Sequence, residues 1–196
     1  GFILANGALS GDGTEKAIRK KLIENNLVEA IIILPMKMFY TTDISVTLWI
    51  INKNKKEREV PHEDLTRHYR SREDQVLFID LRKHGEPFEK KYIQFSPEKI
   101  SKIAEILHTW QEVRAKTEYQ DIAEYCYSAT KEEIAAKDYS LVPSKYIEFK
   151  NHDEYVDFDQ RMSQIRDDFT ELLKQEEKSK SELLSVFEEL GYEITL

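Results

Sequence analysis

The chain has 196 residues, 40% hydrophobic and 34% charged, with a net charge of −8. That length carries one domain with a sizeable core, or one domain and an appendage. No apolar run reaches the roughly 18–20 residues of a bilayer-spanning helix and no basic leader opens the chain, so the sequence predicts no membrane partner and no secretory leader.

Phe2–Asn6 reads as a buried strand, and the chain starts at Gly1, without an initiating methionine, almost inside it. That opening predicts a piece of a longer protein. A glycine-rich loop, Gly7–Gly13, follows, and Thr14 is placed to cap a helix to about Asn25 with Ile18, Leu22 and Ile23 on its apolar face. Asn6, Gly7, Gly11 and Gly13 stand at this strand–loop–helix junction, where amide groups either contact an anion or simply make a tight turn. Their spacing fits no dinucleotide or triphosphate fingerprint.

Val28–Leu34 is a second strand, apolar on both faces, and so belongs inside a covered sheet. Ile44–Asn52 is a third. Only nine residues separate the two, too few for a parallel crossover, so the pair is expected to be antiparallel. The intervening loop carries the adjacent aromatics Phe39 and Tyr40 at a strand end, where open α/β sheets bind ligands. Such a pair either covers the sheet edge or leaves one ring free to stack on a planar group such as an extruded base.

Residues 52–75 are polar and read as a loop excursion. Val76–Leu81 is a fourth strand, and Ser96-Pro97-Glu98 starts an amphipathic helix through Ile100, Ile103, Ile106, Leu107 and Trp110. Glu118–Phe149 is irregular and tyrosine-rich, with one short helix at Lys131–Lys137. The domain reading is therefore 1–95 for the α/β part, 96–150 for a helix plus irregular region, and 151–196 for C-terminal heptad helices.

The last segment is the most regular. Phe158, Met162, Ile165, Phe169 and Leu172 step by four and three, and the ladder resumes at Leu183, Val186 and Leu190 after a polar break. This is either two helices joined by a hinge or one long helix with a solvated middle, and its apolar seam serves a partner, an intramolecular hairpin of 158–172 against 183–190, or packing on the 97–114 helix. From residue 151 onward there are 13 acidic and 5 basic residues, so the first 150 residues are neutral and the tail holds the whole net charge. Basic clusters at Arg19-Lys20-Lys21 and Lys53-Lys55-Lys56-Arg58 either face DNA or solvate a surface.

The histidines, 62, 68, 84, 108 and 152, have no metal-ligand spacing with the one cysteine, Cys126. That single cysteine excludes an internal disulfide and predicts a reducing, cytoplasmic setting. No nucleophile-elbow or Walker motif is present. The residues themselves thus name no catalytic group.

Taken as an ordered set, the strand phrases resemble the modification (methyltransferase) subunit of type I restriction-modification systems, within the N6-adenine DNA methyltransferases. The phrases are Phe2-Ile3-Leu4-Ala5-Asn6-Gly7, Val28-Glu29-Ala30-Ile31-Ile32-Ile33-Leu34-Pro35, Phe39-Tyr40-Thr41-Thr42-Asp43-Ile44 and Leu48-Trp49-Ile50-Ile51-Asn52-Lys53. The match continues through Val76-Leu77-Phe78-Ile79-Asp80-Leu81-Arg82 and Ser140-Leu141-Val142-Pro143-Ser144-Lys145-Tyr146-Ile147. Such subunits usually have proline where this chain has Ala5.

The resemblance implies the C-terminal part of a seven-stranded Rossmann-like α/β sheet, mixed, with an antiparallel last strand, followed by a helical region. The first three strands would be the fifth, sixth and seventh, the seventh inserted between the other two. It implies Phe39, with Tyr40 as the alternative, as the residue stacking on a flipped adenine of double-stranded DNA. It implies specificity and restriction subunits as partners, with Phe158, Met162, Ile165, Phe169, Leu172, Leu183, Val186 and Leu190 as the docking ladder.

The parent would use S-adenosylmethionine. The family's cofactor loop and its Asn-Pro-Pro-Phe/Tyr motif are not in this chain, so no catalytic residue is assigned here. The chain alone is expected neither to bind the cofactor fully nor to methylate. The alternative is a helical interaction or scaffold protein with a small α/β head and no methyltransferase role.

Overall fold

The computed structural model describes residues 1–62, 65–89, 91–113, 118–149 and 157–191. His152 and the first residues of the acidic tail, 151–156, lie outside the described residues. The chain divides into two compact units, Gly1–Lys150 and Asn151–Leu196.

In the first unit, β1 (Phe2–Ala5), β2 (Val28–Ile33), β3 (Val46–Ile51), β6 (Gln75–Asp80) and β9 (Cys126–Thr130) form one five-stranded sheet in the order β1-β3-β2-β6-β9. β3 runs antiparallel to both neighbours, β2 and β6 are parallel, and β9 is antiparallel to β6. The expected antiparallel β2–β3 pair is therefore present, with Ile31 opposite Trp49 and Ile33 opposite Thr47. The sheet is mixed, as expected of its class.

Helix α1 (Thr14–Glu24) and the short α3 (Lys131–Ala136) belong to one face, and α2 (Pro97–Gln111) to the other. Side chains alternate along β2 and β6. Ile31, Val76 and Phe78 join Leu9, Ile23, Ile134 and Leu141 in one core cluster. Ala30, Ile32, Leu77 and Ile79 join Trp110 and Cys126 in the other. Both faces of the central strands are thus covered, which explains why β2 is apolar on both sides from Ala30 to Ile33.

Several local expectations are corrected. Thr14 is the first helical residue of α1 and not its cap; Gly13, at φ +66°, takes the capping position. The first strand, expected to be buried, leaves Phe2, Ile3 and Leu4 exposed because β1 is an edge strand here; Ile18 and Ile100 are exposed too, while Arg19, from a supposed basic surface cluster, is buried. Its guanidinium donates to the carbonyls of Ala8 (3.1 Å), Gly11 (2.7 Å) and Tyr139 (3.1 Å), supplying donors to three carbonyls of irregular backbone. Lys55, also assigned to a basic surface cluster, is buried and donates to the carbonyls of Val28 and Gln75. Ser96 precedes α2 without a capping bond; its hydroxyl donates to Glu86 Oε1 at 3.2 Å.

The 52–75 excursion holds a hairpin, β4 (Arg58–His62) with β5 (Leu65–Tyr69). Its strands carry a polar cross-strand contact rather than alternating apolar residues: His68 Nδ1 meets Glu59 Oε1 at 2.8 Å across the ladder. A second hairpin, β7 (Glu86–Phe88) with β8 (Tyr92–Gln94), was also not foreseen, and neither was β9. Each is short or lacks a run of β-branched residues.

The second unit contains one continuous helix, α4 (Phe158–Glu189). This decides between the two readings of the heptad segment: there is no hinge, and no hairpin of 158–172 against 183–190. All eight ladder residues, Phe158, Met162, Ile165, Phe169, Leu172, Leu183, Val186 and Leu190, are exposed. Among the described residues no helix is long and apolar enough to cross a membrane.

Candidate functional site at the carboxyl edge of the sheet

Because β1, β2 and β6 point the same way, their carboxyl ends, Ala5, Ile33 and Asp80, lie along one edge of the sheet. Three connections emerge there: 6–13, 34–45 and 81–85. That edge is where α/β sheets present ligand-binding loops.

The 34–45 loop is closed at its base. Leu34 N–H donates to Val46 O at 2.9 Å, and Ser45 Oγ donates to Leu34 O at 2.6 Å. Within it the bonds are long: Thr42 N–H to Phe39 O and Ile44 N–H to Thr42 Oγ1, both 3.4 Å. Lys37 takes the left-handed conformation, φ +62°. Phe39 is half-buried, while Tyr40 is 72% exposed. Phe39 therefore packs while Tyr40 is largely exposed, one of the two arrangements open to adjacent aromatics in a polar loop.

The β7–β8 hairpin lies against this loop. Ile93 N–H donates to Lys37 O at 3.0 Å. Tyr92 meets Tyr40 edge-to-face, with ring centroids 4.7 Å apart and planes at 69°. Gly85 allows the approach: a Cβ there would stand 2.0 Å from Ile93 Cγ2 and 3.2 Å from Pro35 Cγ.

Next to the loop, β6 ends at Asp80. Its carboxylate is bound by Arg82, with Nη2 to Oδ2 at 2.6 Å and Nε to Oδ1 at 3.0 Å. The pairing raises the Arg82 pKa and leaves Asp80 fully engaged. His84, two residues on, has its pKa lowered by burial and by neighbouring Lys99 and Lys83, so the ring is neutral at pH 7. Beyond it a concavity of about 920 Å³ opens between α2 and residues 118–125, walled by Lys83, Lys102, Glu105, Tyr119 and Tyr125. Burial pushes the Cys126 thiol up, which makes it a packing group and not a nucleophile.

The 6–13 connection is compact. Asn6–Leu9 is a single 3-10 turn, and Gly11 N–H donates to Gly7 O at 2.8 Å. The Glu15 carboxylate lies against Gly11, so a negative group already stands at the N-terminus of α1. Asn6 Oδ1 is buried without a hydrogen-bond partner. The structure thus gathers Asn6, Gly7, Gly11 and Gly13 with Phe39 and Tyr40 at one edge of the sheet. It adds Tyr92, Asp80 and Arg82, which the sequence reading did not single out. Among the described residues no cluster of three or more His, Cys, Asp or Glu could hold a metal.

A mixed sheet with an antiparallel strand inserted between two parallel ones, and an aromatic pair in the loop leading into it, is here accompanied by a direct family match. The chain belongs to the N-6 DNA methylase family, whose model matches residues 1–155. It is 34% identical over 198 aligned residues to the type I restriction enzyme HindI methylase subunit of Haemophilus influenzae, covering 98% of this chain and 40% of that protein. It is 29% identical to the MjaIX methylase subunit of Methanocaldococcus jannaschii, covering 98% of this chain and 32% of that protein.

Among solved structures, the type I restriction-modification methyltransferase subunit of Streptococcus thermophilus aligns with a TM-score of 0.59 and 26% identity. That alignment covers 76% of this chain and 26% of the other. A chain from a type I R-M system complex aligns at TM-score 0.50 over 96% of this chain and 34% of its own length. At 15% identity it shows the fold alone. The chain therefore spans 40% or less of the curated relatives named here.

Proposed function

We propose that this chain is the C-terminal part of the modification subunit of a cytoplasmic type I restriction-modification complex, a site-specific DNA adenine-N6 methyltransferase. In this reading β1, β2 and β3 are the fifth, sixth and seventh strands of a seven-stranded sheet, with the preceding strands supplied by the rest of the subunit. The insertion of antiparallel β3 between β1 and β2 carries the reading. Two further features support it: Phe2, Ile3 and Leu4 are exposed on β1, and the outer edge of β1 has no partner among the described residues. An exposed apolar edge strand is a surface that folded proteins cover.

Phe39 is the residue that stacks on the flipped adenine, with Tyr40 as the alternative. Base flipping needs a planar surface to replace the lost stacking. The loop offers one half-buried and one exposed ring at the carboxyl edge. S-adenosylmethionine is the methyl donor of the complete subunit. The residues present here do not make its cradle: Asp80, the acidic side chain at the end of β6, is bound by Arg82, and Glu15 stands at the N-terminus of α1. Cofactor binding and amino-group positioning therefore fall to residues outside this chain, and the chain alone does not methylate.

The exposed ladder of α4 docks the specificity subunit, which carries the target sequence, and the restriction subunit joins that assembly. The scaffold alternative accounts for α4 and leaves the family match over residues 1–155 unexplained. The test is co-purification of the specificity subunit with the full-length modification subunit. Ile165→Glu plus Phe169→Glu, both at exposed positions, is expected to abolish it without unfolding the protein. Full retention of the partner by the folded variant rejects the docking surface.

A further inference from the structure

We infer that Tyr92, on the β7–β8 hairpin, is a positioning residue for the target-base loop, acting through Tyr40. The inference rests on the functional reading above and goes beyond it. That reading assigns the loop a role and says nothing of what fixes its shape.

The loop cannot fix itself. Its internal hydrogen bonds are 3.4 Å long, and Lys37 sits in a conformation that few non-glycine residues prefer. Tyr40 projects into solvent, where its ring would sample several rotamers. Tyr40 directly follows Phe39, so a held Tyr40 ring also holds the backbone that carries Phe39; stacking on an extruded base requires that loop geometry in advance, because ordering it at the moment of binding costs affinity.

The hairpin supplies that constraint at three points. The Tyr92 ring meets the Tyr40 ring edge-to-face at 4.7 Å, an arrangement that favours one relative orientation. The Ile93 amide holds the Lys37 carbonyl. Gly85 lets the hairpin close on Pro35 at the loop's entry. The hairpin is itself anchored from the other side, where Glu86 accepts a hydrogen bond from Ser96 at the head of α2. The Lys91 ammonium, 5.6 Å over the Tyr92 ring, holds that ring in turn. A path of direct contacts thus runs from α2 through the hairpin to the exposed aromatic of the loop.

The test uses the full-length modification subunit assembled with its specificity subunit, on a duplex carrying 2-aminopurine at the target adenine. Methylation kinetics are measured on the unmodified duplex. Tyr92→Ala is expected to lower kcat about tenfold, the scale of one edge-to-face ring pair. It is also expected to broaden the fluorescence lifetimes of the extruded base, with the affinity for S-adenosylmethionine unchanged. Tyr92→Phe keeps the ring and should restore both readouts; Tyr92→Leu keeps bulk without a ring and should not.

Wild-type kcat and lifetimes in Tyr92→Ala overturn the inference, as does equal loss in Ala and Phe variants. A wild-type assembly that neither extrudes the base nor methylates adenine overturns the functional reading itself. Extrusion that is intact and indifferent to Tyr92 overturns only this inference.

Discussion

Replacing Glu29 by Leu should destabilise the first unit more than any exposed substitution in it. Glu29 and Arg72 are both fully buried, with Arg72 Nε 2.7 Å from Glu29 Oε1. Gln111 Nε2 donates to the same oxygen at 2.9 Å, and Asn52 Nδ2 to Oε2 at 3.3 Å. The carboxylate therefore ties together the start of β2, the end of β3, the entry to β6 and the end of α2. Glu29→Leu leaves the Arg72 guanidinium charged in the interior, where its Nη2 already has no partner. Removing one member of a buried pair costs about 3–5 kcal/mol.

With a urea dependence of about 2 kcal/mol per molar for a unit of this size, the midpoint should fall by roughly 2 M. The double variant Glu29→Leu/Arg72→Met removes both charges. It should lose about 1–3 kcal/mol, because no buried charge is stranded, although Gln111 and Asn52 lose an acceptor and the carbonyls of Arg70 and Gln111 lose a donor. The assay is equilibrium urea unfolding followed by tryptophan fluorescence, with Trp49 and Trp110 both in the core. A loss below about 1 kcal/mol in Glu29→Leu, or a double variant equal to the sum of the singles, would refute the buried-pair reasoning.

Three other outcomes follow from the same cores. Burial lowers the Lys55 pKa from the ordinary 10.5 to about 8, so the unfolded chain binds more protons between those values. Stability relative to Lys55→Met should therefore rise as pH increases from 8 to 10.5; a flat difference would exclude a titrating Lys55. Arg19→Met removes three donors from the carbonyls of Ala8, Gly11 and Tyr139 and should cost about 2–4 kcal/mol. It should also raise amide hydrogen exchange across residues 6–13, and unchanged exchange there would remove Arg19 from its role as a clamp. Gly85→Ala places a Cβ against Ile93 and should destabilise by about 1–3 kcal/mol, read as a lowered Tm; an unchanged Tm would show that the hairpin can retreat from Pro35.

The parts of the fold legible in the sequence are those written in apolar periodicity. Ala30–Ile33 and Val76–Ile79 are buried on both faces, and both become central strands. The nine-residue spacing after the second strand carried its antiparallel pairing. The parts that were not legible depend on polar contacts made at a distance. The β4–β5 ladder is held by Glu59 with His68, and Arg19 and Lys55 look like surface charge until the carbonyls they bind come into view. At the site, Phe39 and Tyr40 stood out as neighbouring aromatics. Tyr92 did not, because nothing in its local sequence records that the hairpin folds back 52 residues along the chain onto Tyr40. The heptad of α4 was visible as a pattern, and its continuity through Lys174–Lys180 reflects helix-favouring Lys, Glu and Gln across the polar break.

The most direct measurement is the rate of N6-methyladenine formation by the full-length modification subunit assembled with its specificity subunit, wild type against Phe39→Ala. Stacking of one base on one aromatic is worth about 1–3 kcal/mol, so the variant should methylate roughly ten- to a hundredfold more slowly with unchanged S-adenosylmethionine affinity. Methylation by Phe39→Ala at the wild-type rate, or a methyl group delivered to cytosine instead of adenine, would contradict the account.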